Sequence, residues 1–382
     1  MSSMGIIYEI TVETKSPMIL PRKFERRIYT SETRVISGSR IRGSILTYLY
    51  EQGVTEVTQQ SIKPSIITSP AYLVLNKNAE PAIGHALSFY SKLDEHKRVF
   101  STLNPRNILE KLRTQPWTLY PSTPPKIFGD AKGKVGIVKH AMSLPIAKID
   151  NSWRLIKVEL FEIESTAIDK QMGRAHTGML FGYEALPEGL FFKGYLFDSE
   201  MELTDLLKAY GFENMAFETF IGRGSSRGFG RCEVTLRKIK PSYRIDEIKS
   251  FIEDTKEGYV VLMAYSPLSV MMQPLQFTPV PKVIDLGDWL GGNGKLVLIK
   301  LNGGRYAALG GKTRVESWSL VNNLRRPPVE AAREGSIFVY KVEGDYESVA
   351  ISLALAEFKG ISPLASLGLG IIKILTHDYI GG

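Results

Sequence analysis

Residues 222–234 read GRGSSRGFGRCEV, with four glycines and three arginines between positions 222 and 231 and an alternating, partly apolar tail after them. Glycine at this density marks a backbone that turns through conformations other residues avoid, and the tail reads as the strand that the turn feeds. The arginines raise a separate question, because a turn needs no charge. Arg223, Arg227 and Arg231 open a run ending at Arg244 that holds seven basic residues and one acidic one, Glu233. A second run, from Lys15 to Arg42, holds eight basic residues, among them Arg22, Arg26, Arg27, Arg40 and Arg42, against Glu25 and Glu32.

Working outward, the turn has a counterpart in GLGIIKI at 368–374, and the strand-like opening of the chain has one as well. Alternation of Ile6, Tyr8, Ile10 and Val12 ends at Ser16-Pro17, and the apolar run YVVLMAY at 259–265 ends at Ser266-Pro267. After the first break, Ser37 or Ser39 can cap a helix whose apolar positions Ile41, Ile45 and Leu49 recur every four residues. The unit is therefore read as duplicated. Ser16 to Gly228 spans 212 positions and Ser266 to Gly368 only 102, so the first copy is expected to carry a large insertion, about 51–150, with the Pro-rich PWTLYPSTPP at 116–125 inside it. An amphipathic helix with Ile245, Ile248 and Ile252 on one face marks the boundary near 240–257. The expectation is two α+β domains, 1–240 and 258–382.

Aligning the two Gly-x-Gly turns places Arg223, Arg227 and Arg231 against Pro363, Leu367 and Ile371. Glycine thus serves the fold, and arginine serves something local to the first copy. Either the arginines form a solvated face or they meet a polyanion, and a polyanion is the more economical reading beside a net charge of +8. Arg40 and Arg42 fit it too. They sit near a helix N-terminus, where the macrodipole disfavours cations and a bound phosphate would reverse the penalty.

Other chemistries fit poorly. Gly311-Lys312-Thr313 has a Walker-like ending, but the position five before Gly311 is Tyr306, and the dinucleotide pattern that begins at Gly222 and Gly224 meets Arg227 where its third glycine belongs. The five histidines show no metal-ligand spacing, and His377-Asp378 lacks the partners of a metal phosphohydrolase. The single cysteine, Cys232, excludes a disulfide framework and reads as a core residue of a strand, which points to a reducing cytoplasm. The longest apolar run falls well short of the ~18 residues of a membrane span, and a soluble protein is expected. His176, in TAIDKQMGRAHTG at 166–178 with Lys170 and Arg174, stays open between a general base, an RNA-stacking ring and a surface histidine. No catalytic residue, metal or cofactor is assigned.

The stretches VISGSRIRGSILTYL (35–49), STAIDKQMGRAHTGMLFGYEALPEGLFFKGYLF (165–197) and FIGRGSSRGFGRCEV (220–234) resemble the RAMP superfamily of CRISPR-associated proteins. Within it the chain looks most like the large two-domain subunit of type III-D effectors that caps the guide RNA at its 5′ end. The resemblance implies two ferredoxin-like (RRM-like) domains, the first with the insertion, and an archaeal or bacterial cytoplasmic complex. As partners it implies the guide RNA 5′ tag, a large polymerase/cyclase-like subunit and neighbouring backbone RAMP subunits, with no nuclease activity in this chain. It carries RNA binding onto Gly222, Arg223, Gly224, Ser225, Ser226, Arg227, Gly228 and Arg231 in the Gly-rich loop, and onto Ser39, Arg40 and Arg42 in the turn before the first helix. The flanking basic positions Arg22, Arg26, Arg27, Lys170 and Arg174, with His176, complete the expected surface. Two departures matter. The second copy's ISPLASLGLG (361–370) has lost the charge, and no Gly-Gly-Asp-Asp run occurs, so the chain is not the large subunit itself. Leu364, Leu367 and Leu369 of that second loop are expected to dock protein. The alternatives are a metal-independent guide-processing endoribonuclease and a backbone or terminal RAMP of the same superfamily.

Overall fold

The computed structural model describes residues 5–25, 28–32, 34–61, 63–121, 138–169, 174–200, 203, 205–206, 215–239, 244–273, 276–316, 318–319 and 324–380. The chain divides into two units. The first comprises Met1–Ile66, Pro70–Pro81 and Ile156–Ile239, and the second Ile67–Ser69, Ala82–Leu155 and Lys240–Gly382.

Unit 1 runs β1 (Ile6–Thr14), β2 (Pro21–Glu25), β3 (Ile28–Ser31), β4 (Val35–Ile36), α1 (Gly38–Glu51), β5 (Ala71–Val74), β6 (Phe161–Asp169), β7 (Arg174–Ala185), β8 (Phe191–Asp198), β9 (Met215–Phe220) and β10 (Arg231–Ile239). Its main sheet has the order β9-β10-β1-β8-β5-β4. The central strand β1 pairs antiparallel with β8, Ile10 opposite Gly194, and with β10, Val12 opposite Val234. Strands β1, β5, β8 and β10 thus lie in the order 4-1-3-2 of a ferredoxin-like domain. The alternation read in β1 explains the packing, since Tyr8, Ile10 and Val12 enter one core with Ile41, Ile45 and Leu49 of α1. Ser37 occupies the N-cap of α1 as read, although its side chain makes no capping bond. A second sheet, β6-β7-β3-β2, is built on the long β6–β7 hairpin.

The other face of β1 is not simply wet. Glu9 is buried, and its carboxylate lies 3.1 Å from the ammonium of Lys193 on β8 and 2.9 Å from the guanidinium of Arg237 on β10. The Lys193 side chain is only 3% exposed, and Glu9 is the nearer of its two carboxylate partners, Glu80 lying at 3.9 Å.

Unit 2 contains α2 (Ile245–Asp254), β11 (Tyr259–Ala264), β12 (Lys295–Leu298), β13 (Ile337–Glu343), α3 (Tyr346–Lys359) and β14 (Ile372–Ile374). Its strands are ordered β12-β13-β11-β14, the same 2-3-1-4 sequence, and every neighbouring pair is antiparallel. Ile248 and Ile252 of α2 join this core as the periodicity predicts. Within the helical run 346–367 an 18-residue stretch has a mean hydropathy of 1.3, and the run is long enough to cross a membrane; 56% of that stretch is buried within the protein, as in a core helix.

The duplication holds at the level of single hydrogen bonds. In unit 1 the backbone N–H groups of Lys15 and Ser16 donate to Arg231 O, Gly230 N–H donates to Pro17 O, and Arg231 N–H donates to Ser16 Oγ. In unit 2 Tyr265 and Ser266 donate to Ile371 O, Gly370 to Pro267 O, and Ile371 to Ser266 Oγ. Ser-Pro ends the first strand in each copy because the serine hydroxyl and the proline carbonyl latch the glycine turn beside it.

The insertion differs from its expected place. Residues 82–155 group with unit 2, where Ala86 N–H donates to Gly335 O and Tyr259 Oη donates to the carbonyls of Pro105 and Arg106. Val99, Ala141 and Ile146 close a small core on Ile380. His85 is buried there, its Nε2 3.3 Å from Asp378 Oδ1, while His377 lies 3.4 Å from Glu247. The two residues of the His-Asp dipeptide therefore serve separate packing contacts.

Cys232 lies in the unit 1 core, where burial pushes its thiol up to about 12. The thiolate is the reactive form. Ellman's reagent is expected to leave the native protein unmodified and to titrate one thiol in denaturant; rapid reaction of the folded chain would contradict this packing.

Candidate nucleic-acid interface

The loop between β9 and β10 is a short turn of 3₁₀-helix, Ser225–Arg227, between two left-handed glycines, Gly224 and Gly228. Arg227 N–H donates to Gly224 O, Gly228 N–H to Ser225 O, and Phe229 N–H to Gly224 O. The second copy repeats the last two bonds, Gly368 N–H to Ala365 O and Leu369 N–H to Leu364 O. Two of the glycines are dictated by close approach. Gly222 (φ +103°) lies where a Cβ would stand 2.3 Å from Ile19 O, and Arg223 N–H donates to that carbonyl. At Gly230 (φ +78°) a Cβ would stand 2.2 Å from Ile221 O. Neither position admits a side chain.

This backbone presents Arg223, Ser225, Ser226 and Arg227 to solvent. Both guanidinium carbons lie over one ring, Tyr183 of β7, at 5.5 Å for Arg223 and 5.2 Å for Arg227. Arg227 also lies 5.6 Å from the Phe229 ring and donates to Ser165 Oγ on β6 at 3.3 Å. Tyr183, Ala185 and Ile19 form a small core with Ile163 and Phe229, so the loop is seated on the β6–β7 hairpin. Guanidinium groups over an aromatic face are held in place as oriented cations, a geometry suited to phosphate oxygens.

A model of the RAMP superfamily matches residues 11–233. The chain belongs to the RAMP superfamily. No curated protein matches it. Among solved structures, this RAMP protein is similar to a chain of the type III-B Cmr-beta complex bound to cognate target RNA. The two are 13% identical over 87% of this chain and 86% of that chain, with a TM-score of 0.44. It is also similar to oligomeric Cmr4 from Pyrococcus furiosus, at 13% identity over 62% of this chain and 100% of that chain, with a TM-score of 0.28.

The other expected site residues of this RAMP protein divide sharply. Arg40 Nη2 donates to Pro21 O at 3.0 Å, and burial holds its guanidinium below its ordinary value, with Glu32 pulling the other way. Arg42 donates to Ile66 O at 2.8 Å and Gln60 O at 2.6 Å. These two arginines brace α1 against its own surroundings while staying partly exposed; Ser39 Oγ meets Ser37 Oγ at 3.3 Å. Arg231 is exposed, 4.0 Å from Glu218. Arg237 and Arg244, counted in the same basic run, bind Glu9 and Glu247. Arg22 lies on β2, and Arg174 and His176 lie on β7, which replaces the polar loop read around His176 with a strand pair. Arg26, Arg27 and Lys170 lie outside the described residues.

In the second loop Leu369 is buried and Leu364 and Leu367 are half-buried, so the exposed leucine tip read from sequence is mostly local packing. Sequence reasoning missed Tyr183. It lies 40 positions before Arg223, in GYEAL, and no spacing rule links a strand tyrosine to a distant loop. Among the described residues, no three His, Cys, Asp or Glu side chains gather as a metal site.

Proposed function

We propose that this RAMP protein is a non-catalytic RNA-binding subunit of a type III CRISPR effector complex. In this reading it holds the 5′ tag of the guide RNA at the Gly-rich loop of unit 1 and contacts the large polymerase/cyclase-like subunit and neighbouring backbone RAMP subunits. The observation that carries the reading is the pair Arg223 and Arg227 over the Tyr183 ring, on a loop whose unit 2 counterpart keeps the turn and lacks the charge. A turn that needed arginine for its own stability would have kept it in both copies.

The Arg223→Ala/Arg227→Ala protein is expected to bind single-stranded RNA bearing the repeat-derived 5′ tag about tenfold more weakly per arginine. The slope of log K against log salt should fall by roughly 0.7 for each phosphate that the protein no longer neutralises. The RNA should be recovered intact in every reaction, with or without divalent metal. An unchanged slope in a folded double variant would remove the loop from the interface, and metal-independent cleavage would favour the processing nuclease.

A further inference from the structure

From 82 to 155 the sequence carries twelve Lys and Arg against five Asp and Glu, a net +7 in a chain whose total is +8; nine and four of these are described. Arg98, Arg106, Arg113 and Arg154 are spent in ion pairs with Asp94, Asp254, Glu257 and Asp150. Lys92, Lys139 and Lys148 are exposed and in no ion pair among the described residues. The inserted segment is therefore a third basic region, separate in sequence from the runs 15–42 and 222–244.

Exposed rings accompany it. Trp117 is 69% exposed and Tyr120 47%. They lie at the first-to-fourth spacing of one 3₁₀ turn, with Tyr120 N–H donating to Trp117 O, and residues so spaced eclipse one another along the turn axis. Beneath Tyr120 is a built support. Buried Phe89 lies 4.8 Å from the ring of exposed His140 and 6.4 Å from Tyr120, and His140 pairs with Phe89 across the edge of the sheet formed by Ser88–Ser91, Val99–Ser101 and Val138–His140. Lys139, the neighbouring residue on that edge strand, pairs with Tyr90 and lies on the opposite face from His140. Singly exposed aromatics are ordinary, but a Tyr and a His 6.1 Å apart and backed by one buried Phe, with an exposed Trp three residues before the Tyr in a cationic segment, are not.

We infer that Trp117, Tyr120 and His140 form a stacking platform for the bases of a single-stranded nucleic acid, whose backbone is attracted by the exposed lysines Lys92, Lys139 and Lys148 of the insertion. Flat rings next to ammonium groups are the combination that binds single strands without reading their sequence. An acidic protein would match the charge, but it would not need flat rings left open to water.

The test uses the full chain and two probes of equal length and charge: an oligoadenylate RNA and a phosphodiester strand of abasic sugars. Wild type should bind the base-bearing strand more tightly, with quenching of tryptophan fluorescence that disappears in Trp117→Phe. Trp117→Ala/Tyr120→Ala should bind the oligoadenylate about tenfold more weakly while keeping its affinity for the abasic strand. Trp117→Phe/Tyr120→Phe, which keeps two rings, should recover most of the loss and guards against a folding artefact. Arg223→Ala/Arg227→Ala should weaken binding of both probes and leave the Trp117 quenching at saturation, so the two sites fail separately. Wild-type affinity in the alanine double variant, or quenching that persists in Trp117→Phe, would overturn the platform and leave this face to an acidic protein partner.

Discussion

Alanine at Gly230 is expected to destabilise unit 1 by on the order of 3–5 kcal/mol, while alanine at Gly228 costs about 1–2 kcal/mol. The two positions share a left-handed backbone, φ +78° and +84°, so the intrinsic penalty for a Cβ is the same. They differ in space. Nothing lies within 4 Å of a Cβ at Gly228, whereas one at Gly230 would overlap Ile221 O at 2.2 Å. That carbonyl cannot step aside cheaply, because Ile221 N–H donates to Gly230 O and Gly230 N–H donates to Pro17 O. The turn would have to open, and the Ser16 latch with it. Exposure of the Cys232 thiol during a thermal ramp reports on this unit alone, since Cys232 is the second residue of β10 and the chain has no other cysteine. The midpoint should fall by roughly 8–15 °C for Gly230→Ala and by a few degrees for Gly228→Ala. Equal midpoints would mean that the close approach does not govern the turn.

Removing the Glu9 carboxylate is the second large effect. Glu9→Gln keeps the shape but leaves buried Lys193 with only the more distant and largely exposed Glu80 carboxylate at 3.9 Å, at a cost of about 3 kcal/mol. Arg237→Ala should cost little, because its side chain is 67% exposed and water takes the place of the missing partner. Replacing both partners, Glu9→Leu with Lys193→Met, should recover most of the loss, since no charge then remains buried. Chemical denaturation with thiol exposure as the readout checks all three. A Glu9→Gln protein as stable as wild type would show that Glu80 alone suffices for Lys193.

The sequence disclosed what period and punctuation encode. Alternation in β1, the four-residue recurrence in α1 and the paired Ser-Pro and Gly-x-Gly signals all stand in the structure, because each is set by neighbours along the chain. The dipeptide spacing even located the latch, although the serine hydroxyl that closes it could not be read. Long-range pairings stayed hidden. Arg40 and Arg42 resemble Arg223 and Arg227 in sequence, and only the positions of Pro21, Gln60 and Ile66 show that the first pair also donates to backbone carbonyls. Tyr183 and Glu9 were invisible for the same reason, since each acts through residues from distant strands. The inserted segment was legible as an excess of length, but its grouping with unit 2 depends on Gly335, Tyr259 and Ile380, which no local pattern announces.

That grouping sets a timetable for synthesis. Unit 1 holds all its strands once Ile239 has left the ribosome, yet the segment 82–155, made earlier, belongs to a unit whose last core residue is near the C-terminus. Val99, Ala141 and Ile146 have emerged about 225 residues or more before Ile380, an interval of roughly 10–50 seconds at ordinary elongation rates. For that time an apolar, cationic loop hangs from a domain otherwise able to close. A chain cut at position 240 would retain the loop permanently and lose everything that covers it, so the N-terminal half made alone should be prone to aggregation unless residues 82–155 are removed with the rest.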